Sequence, residues 1–183
     1  MYDFVIIHGS YGSPFENWSP WLFNALTEKG EQVLAPQFPA IDQNYNNWDR
    51  VFSAYDQFIG EETSFIAHSL GPAFVLDYLV KYKRQIKNLY LIAPFYGLIN
   101  IEEFDEVNKT FFIYEDVSVA KPFFKKAFCL FSDNDPYVPI SMSKDIAGKL
   151  SASTMIVPGG KHLNANAGFT EFSELLKVIE ADD

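Results

Sequence analysis

Six short apolar runs, separated by helix-like segments along the whole chain, constrain the fold more than any other feature. They cover residues 3–7, 32–35, 63–67, 88–93, 127–131 and 153–157. Each is close to continuously apolar and does not alternate with polar residues. A strand reads this way when both of its faces are covered, as in a parallel sheet layered between helices. The segments between them carry helical patterns. Ser19-Pro20 supplies a cap and a first-turn proline, Trp21, Leu22, Ala25 and Leu26 an apolar stripe, and Gly30 a stop. A second helix is expected after Asn46, with Trp48, Val51, Phe52, Tyr55, Phe58 and Ile59 at helical spacing. Further helices are expected after Ser69, from about Ser141 to Leu150, and over a last stripe of Phe169, Phe172, Leu175, Leu176 and Ile179. Strand and helix in alternation imply right-handed βαβ units. With no repeat, linker or low-complexity stretch, the 183 residues read as one α/β domain with helices on both sheet faces.

One stretch breaks the rhythm. Residues 94–126 are long for a crossover and carry Phe95, Tyr96, Phe104, Phe111, Phe112, Tyr114, Phe123 and Phe124. A helix over 101–109 fits Ile101, Phe104 and Val107. The segment reads either as a helical excursion with its rings in the core, or as a small lid over an apolar pocket.

The third apolar run leads into Ala67-His68-Ser69-Leu70-Gly71, and a helix-like run follows. Strand, small-x-Ser-x-small, helix is the context of a nucleophile elbow. The serine is strained at a sharp turn so that its Oγ stands above the sheet. The residues two before and two after it must be small, because strand and helix nearly touch there. The same string also fits a serine helix cap after a buried strand.

A serine hydroxyl needs a base, and the base an orienting acid. The chain has three histidines. His68 adjoins Ser69 on the strand and points to the opposite side. His8 ends the first run and is expected to orient the loop that follows it. His162 lies directly after the sixth run, at the carboxyl edge of the sheet where sites of open α/β folds gather, and is the expected base. The acid is expected in Ser132-Asp133-Asn134-Asp135-Pro136-Tyr137-Val138-Pro139, after the fifth run. Asp135 fits the Asp-x-x-Val-Pro spacing; Asp133 is the alternative, with an Asx turn as its other use. The order Ser69, Asp135, His162 is one of the known chain orders for such a triad. Donors for a developing oxyanion are expected from the backbone N–H of Leu70 and from the loop after the first run, at Ser10 or, second, Tyr11. Gly9 and Gly12 let that loop turn sharply and approach a substrate, but the loop lacks the spacing of a dinucleotide or phosphate fingerprint.

Composition excludes other classes. A net charge of -10 argues against nucleic acid and anionic membrane as partners. The single cysteine, Cys129, lies inside an apolar run and reads as a buried thiol. The histidines lack metal-ligand spacing, and Glu102, Glu103 and Asp105 read as a solvated face, so neither metal nor cofactor is expected. The chain enters a strand at once with no leader, and cytoplasm is the expected location. A monomer or small homo-oligomer fits the composition.

These motifs together resemble the small serine α/β-hydrolases of the YdeN and retinoblastoma-binding protein 9 group. The resemblance runs from residue 3 to about 180. It rests on His8-Gly9-Ser10-Tyr11-Gly12-Ser13-Pro14 with Trp18 and Pro20-Trp21-Leu22, on the elbow, on Asp135-Pro136-Tyr137-Val138-Pro139, on Ser143-Lys144-Asp145-Ile146-Ala147, and on Gly159-Gly160-Lys161-His162-Leu163. It implies a trimmed hydrolase sheet of about six strands in the order 2-1-3-4-5-6, without a large cap domain, and carries the roles of nucleophile, acid and base onto Ser69, Asp135 and His162. The expected activity is hydrolysis of small or medium acyl esters through an acyl-enzyme, on a small-molecule acyl substrate. Thioester, amide or peptide substrates for the same triad, and a hydrolase-fold binding protein with little turnover, are the alternatives.

Overall fold

A computed structural model describes residues 1–182. Six strands form one parallel sheet in the order β2-β1-β3-β4-β5-β6, the order that the resemblance implies. The strands are β1 (Phe4–Ile7), β2 (Val33–Leu34), β3 (Ser64–His68), β4 (Ile86–Ile92), β5 (Phe124–Ser132) and β6 (Ser153–Val157). The helices are α1 (Ser19–Glu28), α2 (Tyr45–Phe52), α3 (Gly71–Tyr82), α4 (Glu102–Asn108), α5 (Ile140–Leu150) and α6 (Ser173–Glu180).

The continuous apolar runs have a simple cause. Val5, Ile7, Phe65, Ala67, Leu89, Leu91, Cys129 and Phe131 point to one face, into a core shared with α2, α3 and α5. Phe4, Ile6, Ile66, Tyr90, Ile92 and Leu130 point to the other, into a core shared with α1 and α6. Successive strand residues alternate in direction, and here both directions are dry. Each fully buried large side chain contributes about 1.5–3 kcal/mol. The edge strand β6 is the exception, half open to solvent along its length.

Several boundaries differ from the sequence expectation. α1 takes Trp18, not Ser19, as its N-cap, with Ser19-Pro20 already inside the first turn. α2 begins at Tyr45 because the Asn44 side chain accepts the Asn47 N–H and caps it. It ends at Phe52; the chain then tightens into 3₁₀ turns that deliver Ile59 to the core, so Tyr55, Phe58 and Ile59 are not on one α-helix with Trp48. Phe169 and Phe172 precede α6. β5 starts three residues early. Phe124–Lys126 pair only with β4, beyond the reach of β6, and their outer sides can carry Lys125 and Lys126. The 94–126 excursion combines both readings: Phe95, Ile99 and Phe111 are buried in the core, and Phe95, Ile99 and Phe104 also line a cavity over the sheet edge. Among the described residues, no helix is long and apolar enough to cross a membrane.

All six strands run the same way, so the segments after β1, β3, β4, β5 and β6 emerge at one edge. That edge carries the residues singled out from sequence.

Candidate active site

Ser69 sits between β3 and α3 with φ 60°, a left-handed conformation that costs a non-glycine residue about 1–2 kcal/mol. Surrounding structure holds it there. The Ser69 N–H donates to the Ile92 carbonyl at 2.9 Å, anchoring the turn to the end of β4. A Cβ on Gly71 would lie 2.8 Å from the Ile7 carbonyl oxygen and 3.0 Å from that of His8, so α3 can start only where it does with glycine at this position. Gly9 faces the serine itself: a Cβ there would lie 2.8 Å from Ser69 Cβ and 3.2 Å from its Oγ. Close approach, not turn handedness, is what this glycine supplies. Neither Gly9 nor Gly12 has a positive φ; the left-handed residue between them is Tyr11, at φ 53°.

The ring of His162 spans the two other groups. Its Nε2 is 3.0 Å from Ser69 Oγ and its Nδ1 is 2.7 Å from Asp135 Oδ2. A carboxylate can only accept, so the proton of the neutral ring sits on Nδ1 and the bare Nε2 accepts the Ser69 hydroxyl. The other Asp135 oxygen accepts the N–H groups of Tyr137 at 2.9 Å and Val138 at 3.1 Å, which fixes the carboxylate against β5's end. Asp133 does not compete. Its Oδ1 accepts the Gly159 N–H at 2.8 Å, and Asn134 Oδ1 accepts the Lys161 N–H at 2.8 Å; both tie the two loops together.

The backbone around His162 is pinned from below. Three consecutive carbonyls accept side-chain donors: Lys161 from the Ser132 hydroxyl, His162 from His68 Nε2 at 3.0 Å, and Leu163 from the Trp18 indole at 3.0 Å. His68 therefore faces away from Ser69 and holds His162 by its backbone. Burial, followed by the neighbouring His162, pushes its pKa down to about 3, so the ring is neutral when it donates. His8 behaves as expected from sequence: Nδ1–H donates to the Gly9 carbonyl at 2.8 Å and Nε2 accepts the Phe38 N–H at 3.1 Å. Burial lowers its pKa. Cys129 lies fully buried in β5, and burial pushes its thiol up to about 12.

Of the three expected oxyanion donors, the structure separates two from one. Among the described residues, the backbone N–H groups of Ser10 and Leu70 have no hydrogen-bond partner. The Tyr11 N–H is already used, donating to Gln43 Oε1 at 2.8 Å. Ser69 and His162 open into a cavity of about 210 Å³. Phe95, Ile99, Phe104, Tyr137 and Val138 give it an apolar wall, and Glu16, Asn17, Asn164 and Asn166 a polar one. The Tyr137 ring stands edge-on to His162, with centroids 5.1 Å apart.

A strained serine, an imidazole and a buried carboxylate in hydrogen-bonded series form a unit for nucleophilic acyl chemistry. The serine hydrolase family pattern matches residues 4–181. The chain belongs to the serine hydrolase family. This hydrolase is 28% identical over 178 residues to YdeN of Bacillus subtilis (strain 168), covering 95% of this chain and 92% of YdeN. The crystal structure of the YdeN gene product superposes with a TM-score of 0.90, at 25% identity over 99% of this chain and 98% of that one. More distant structures share the fold. A carboxylesterase from Nitrososphaera gargenis gives a TM-score of 0.75 at 13% identity, covering 98% of this chain and 89% of its own. Ferulic acid-bound Est1E from Butyrivibrio proteoclasticus gives 0.71 at 17% identity, covering 97% and 85%. The serine hydrolase is thus an α/β-hydrolase enzyme whose sheet is trimmed to six strands.

Contacts between distant segments complete the site. Trp18, Ser132, Gln43 and Asn108 carry no local sequence signature of the hydrogen bonds that they make. Their contacts span 29 to 145 positions along the chain.

Proposed function

We propose that this enzyme hydrolyses esters of small acyl groups, with Ser69 as nucleophile, His162 as general base and acid, and Asp135 as the orienting carboxylate. The observation that carries this reading is the His162 ring, bonded through Nδ1 to Asp135 and through Nε2 to Ser69. Ser69 Oγ attacks the ester carbonyl carbon while its proton passes to His162 Nε2. Asp135 keeps the ring in the required tautomer and stabilises the imidazolium. The carbonyl oxygen becomes an oxyanion, which the Ser10 and Leu70 N–H groups receive. Collapse of the tetrahedral intermediate breaks the bond to the alcohol oxygen, which takes the proton from His162. Water then attacks the acyl-serine by the same route, releasing the acid and restoring Ser69. This chemistry needs no cofactor.

The size of the cavity favours small acyl groups: about 210 Å³ is below the range of pockets that engulf drug-sized ligands. Carboxylesterases among the structures that share the fold support an ester as the first substrate to try.

Labelling by a fluorophosphonate probe tests the reading. Wild-type protein is expected to label and to hydrolyse p-nitrophenyl acetate and butyrate. Ser69→Ala is expected to do neither, with turnover lower by up to about 10⁶-fold and an unchanged circular dichroism spectrum. A Ser69→Ala protein that keeps most of its turnover removes the mechanism.

A further inference from the structure

The loop that carries Ser10 is held by two amide side chains that take no part in the scheme above. The Tyr11 N–H donates to Gln43 Oε1 at 2.8 Å. Gln43 Nε2 donates to Asn108 Oδ1 at 3.0 Å. The Ser10 hydroxyl donates to the same Asn108 oxygen at 2.7 Å. The order of donors fixes both amides. A backbone N–H can only donate, so oxygen must be the Gln43 atom that meets Tyr11. Nitrogen is then its other atom, and Asn108 must answer with oxygen.

Both side chains are buried, Gln43 at 5% and Asn108 at 1% exposure. Asn108 Nδ2 is left over: it is buried and has no partner among the described residues. An orphaned buried donor lowers stability. A leucine of similar volume would remove that cost, and with it the acceptor that Ser10 and Gln43 share. What Asn108, which also lines the cavity, supplies to the loop is its oxygen. Asn108 is the last residue of α4, and Gln43 lies just before α2, so the network clamps the 94–126 excursion to the loop after β1. It grips that loop on both sides of the Ser10 carbonyl, at the Ser10 hydroxyl and at the Tyr11 N–H. Tyr11 is also the residue held at φ 53°, a conformation that persists only under outside constraint.

We infer that Gln43 and Asn108 are positioning residues for the oxyanion site: their chain of hydrogen bonds fixes residues 10 and 11 so that the Ser10 N–H stays aimed at the reacting carbonyl oxygen. The inference rests on the assignment of Ser10 as oxyanion donor. Part of the role of the excursion is then to set the transition-state donor, besides walling the cavity.

The experiment compares Gln43→Met, Asn108→Leu, the double variant and Gln43→Glu by kcat and KM on p-nitrophenyl butyrate, with a melting temperature for each. The double variant replaces a buried polar pair by an apolar pair of similar shape, which separates rate from stability. Gln43→Glu keeps an oxygen toward Tyr11, and its second carboxyl oxygen, protonated by burial, donates to Asn108 Oδ1 in place of the amide. The single variants are expected to lose about 10- to 100-fold in kcat, somewhat less than deletion of one oxyanion donor, with KM within about threefold. The double variant should lose no more than the worse single one, because the two act as a unit. Gln43→Glu should regain most of the rate. Affinity for a trifluoromethyl ketone, which adds Ser69 and places an oxyanion in the hole, should fall in step with kcat. A double variant with wild-type kcat overturns the inference, as do rates that follow melting temperature and ignore whether residue 43 carries an acceptor. Should Asn108→Leu not fold, Gln43→Met against Gln43→Glu gives the same decision. Absence of Ser69-dependent turnover in the wild type would instead remove the reading of the site itself.

Discussion

The ring of His68 donates from Nε2 to the backbone carbonyl of His162 at 3.0 Å, so the residue preceding Ser69 holds His162 in place. The two rings lie 5.0 Å apart between centroids, and the Trp18 ring meets His68 edge-on at 5.8 Å. Ser69 and His162 are thereby referenced to one strand end. Ser69 follows His68 in the chain, and His162 hangs from His68 by its carbonyl.

Removing that donor should loosen the base without touching the triad. His68→Phe keeps a planar ring and loses the N–H. It is expected to lower kcat about 10- to 100-fold, the scale on which small misplacements act, with little change in KM. His68→Gln offers an amide N–H and should retain more. Steady-state kinetics on p-nitrophenyl butyrate checks both; a phenylalanine variant at the wild-type rate would show that the other two carbonyl anchors suffice.

The same burial makes stability sensitive to acid. His8 and His68 have native pKa values below the ordinary 6.5, His68 at about 3. Between 3 and 6.5 the unfolded chain binds the proton that the folded His68 refuses. Its contribution is complete above pH 6.5 and is lost as pH falls toward 3, at up to about 1.4 kcal/mol per pH unit. Urea denaturation from pH 7.5 to 4 should show this loss, and His68→Gln should make it shallower. Equal slopes for the two proteins would contradict a neutral, buried His68.

Asp77 has the opposite sign. It is buried at 1% exposure on α3, donor contacts from Tyr96 at 2.6 Å and Ile113 at 3.4 Å notwithstanding, and desolvation raises its pKa from 3.8 to about 7. The folded state holds this proton where the unfolded state has lost it. Stability from Asp77 is thus full below pH 3.8 and is lost as pH rises to about 7, partly masking the histidine effect. Asp77→Asn has no charge to bury at any pH. Relative to wild type it should gain stability steadily from pH 4 to 7 and level off above, and its own acid loss should be steeper. Parallel denaturation curves at pH 5 and 7 would refute the assignment.

The fold was legible in sequence because both faces of the inner strands are dry, and dryness writes itself as continuous apolar runs; β6, half open to solvent, is the exception. The candidate site could be read from sequence because Ser69, Asp135 and His162 each lie in the segment that follows a strand. What stayed hidden depends on contacts between distant segments. Nothing near Trp18 marks it as the donor to Leu163, and nothing near Gln43 or Asn108 marks a shared oxygen. The end of α2 was misplaced for a related reason. Tyr55, Phe58 and Ile59 keep helical spacing, but i→i+3 hydrogen bonds carry the chain past Phe52 in place of α-helical ones. The early start of β5 was missed because Lys125 and Lys126 face solvent where no sixth strand covers them.

Two glycines make the elbow sterically possible and should fail in different ways. A Cβ at Gly71 meets backbone, the Ile7 and His8 carbonyls, so Gly71→Ala must push α3 off β1. It is expected to cost about 1–3 kcal/mol in stability along with activity. A Cβ at Gly9 meets the side chain of Ser69. Gly9→Ala should therefore lose activity at least tenfold for a smaller loss of stability. Thermal melts and fluorophosphonate labelling rates on both proteins would separate the two, and an active, fully stable Gly71→Ala protein would contradict the packing.

Acyl-chain preference follows from one ring. Phe104 lies on α4 with its centroid 6.1 Å from Tyr11 and 5.8 Å from Tyr137, so three aromatic rings close one side of the 210 Å³ cavity. Wild-type enzyme should hydrolyse acetyl to butyryl esters with kcat/KM at least about tenfold above octanoyl esters. Each methylene that finds no room forfeits about 1–3 kcal/mol. Phe104 is only half-buried, so Phe104→Ala opens the wall with little damage to the core. The ratio of octanoyl to butyryl kcat/KM should then rise about tenfold, while fluorophosphonate labelling of Ser69 persists. A ratio unchanged by the loss of this ring would place the acyl group against the Glu16 and Asn164 side of the cavity instead, and the chain-length limit would have to be sought there.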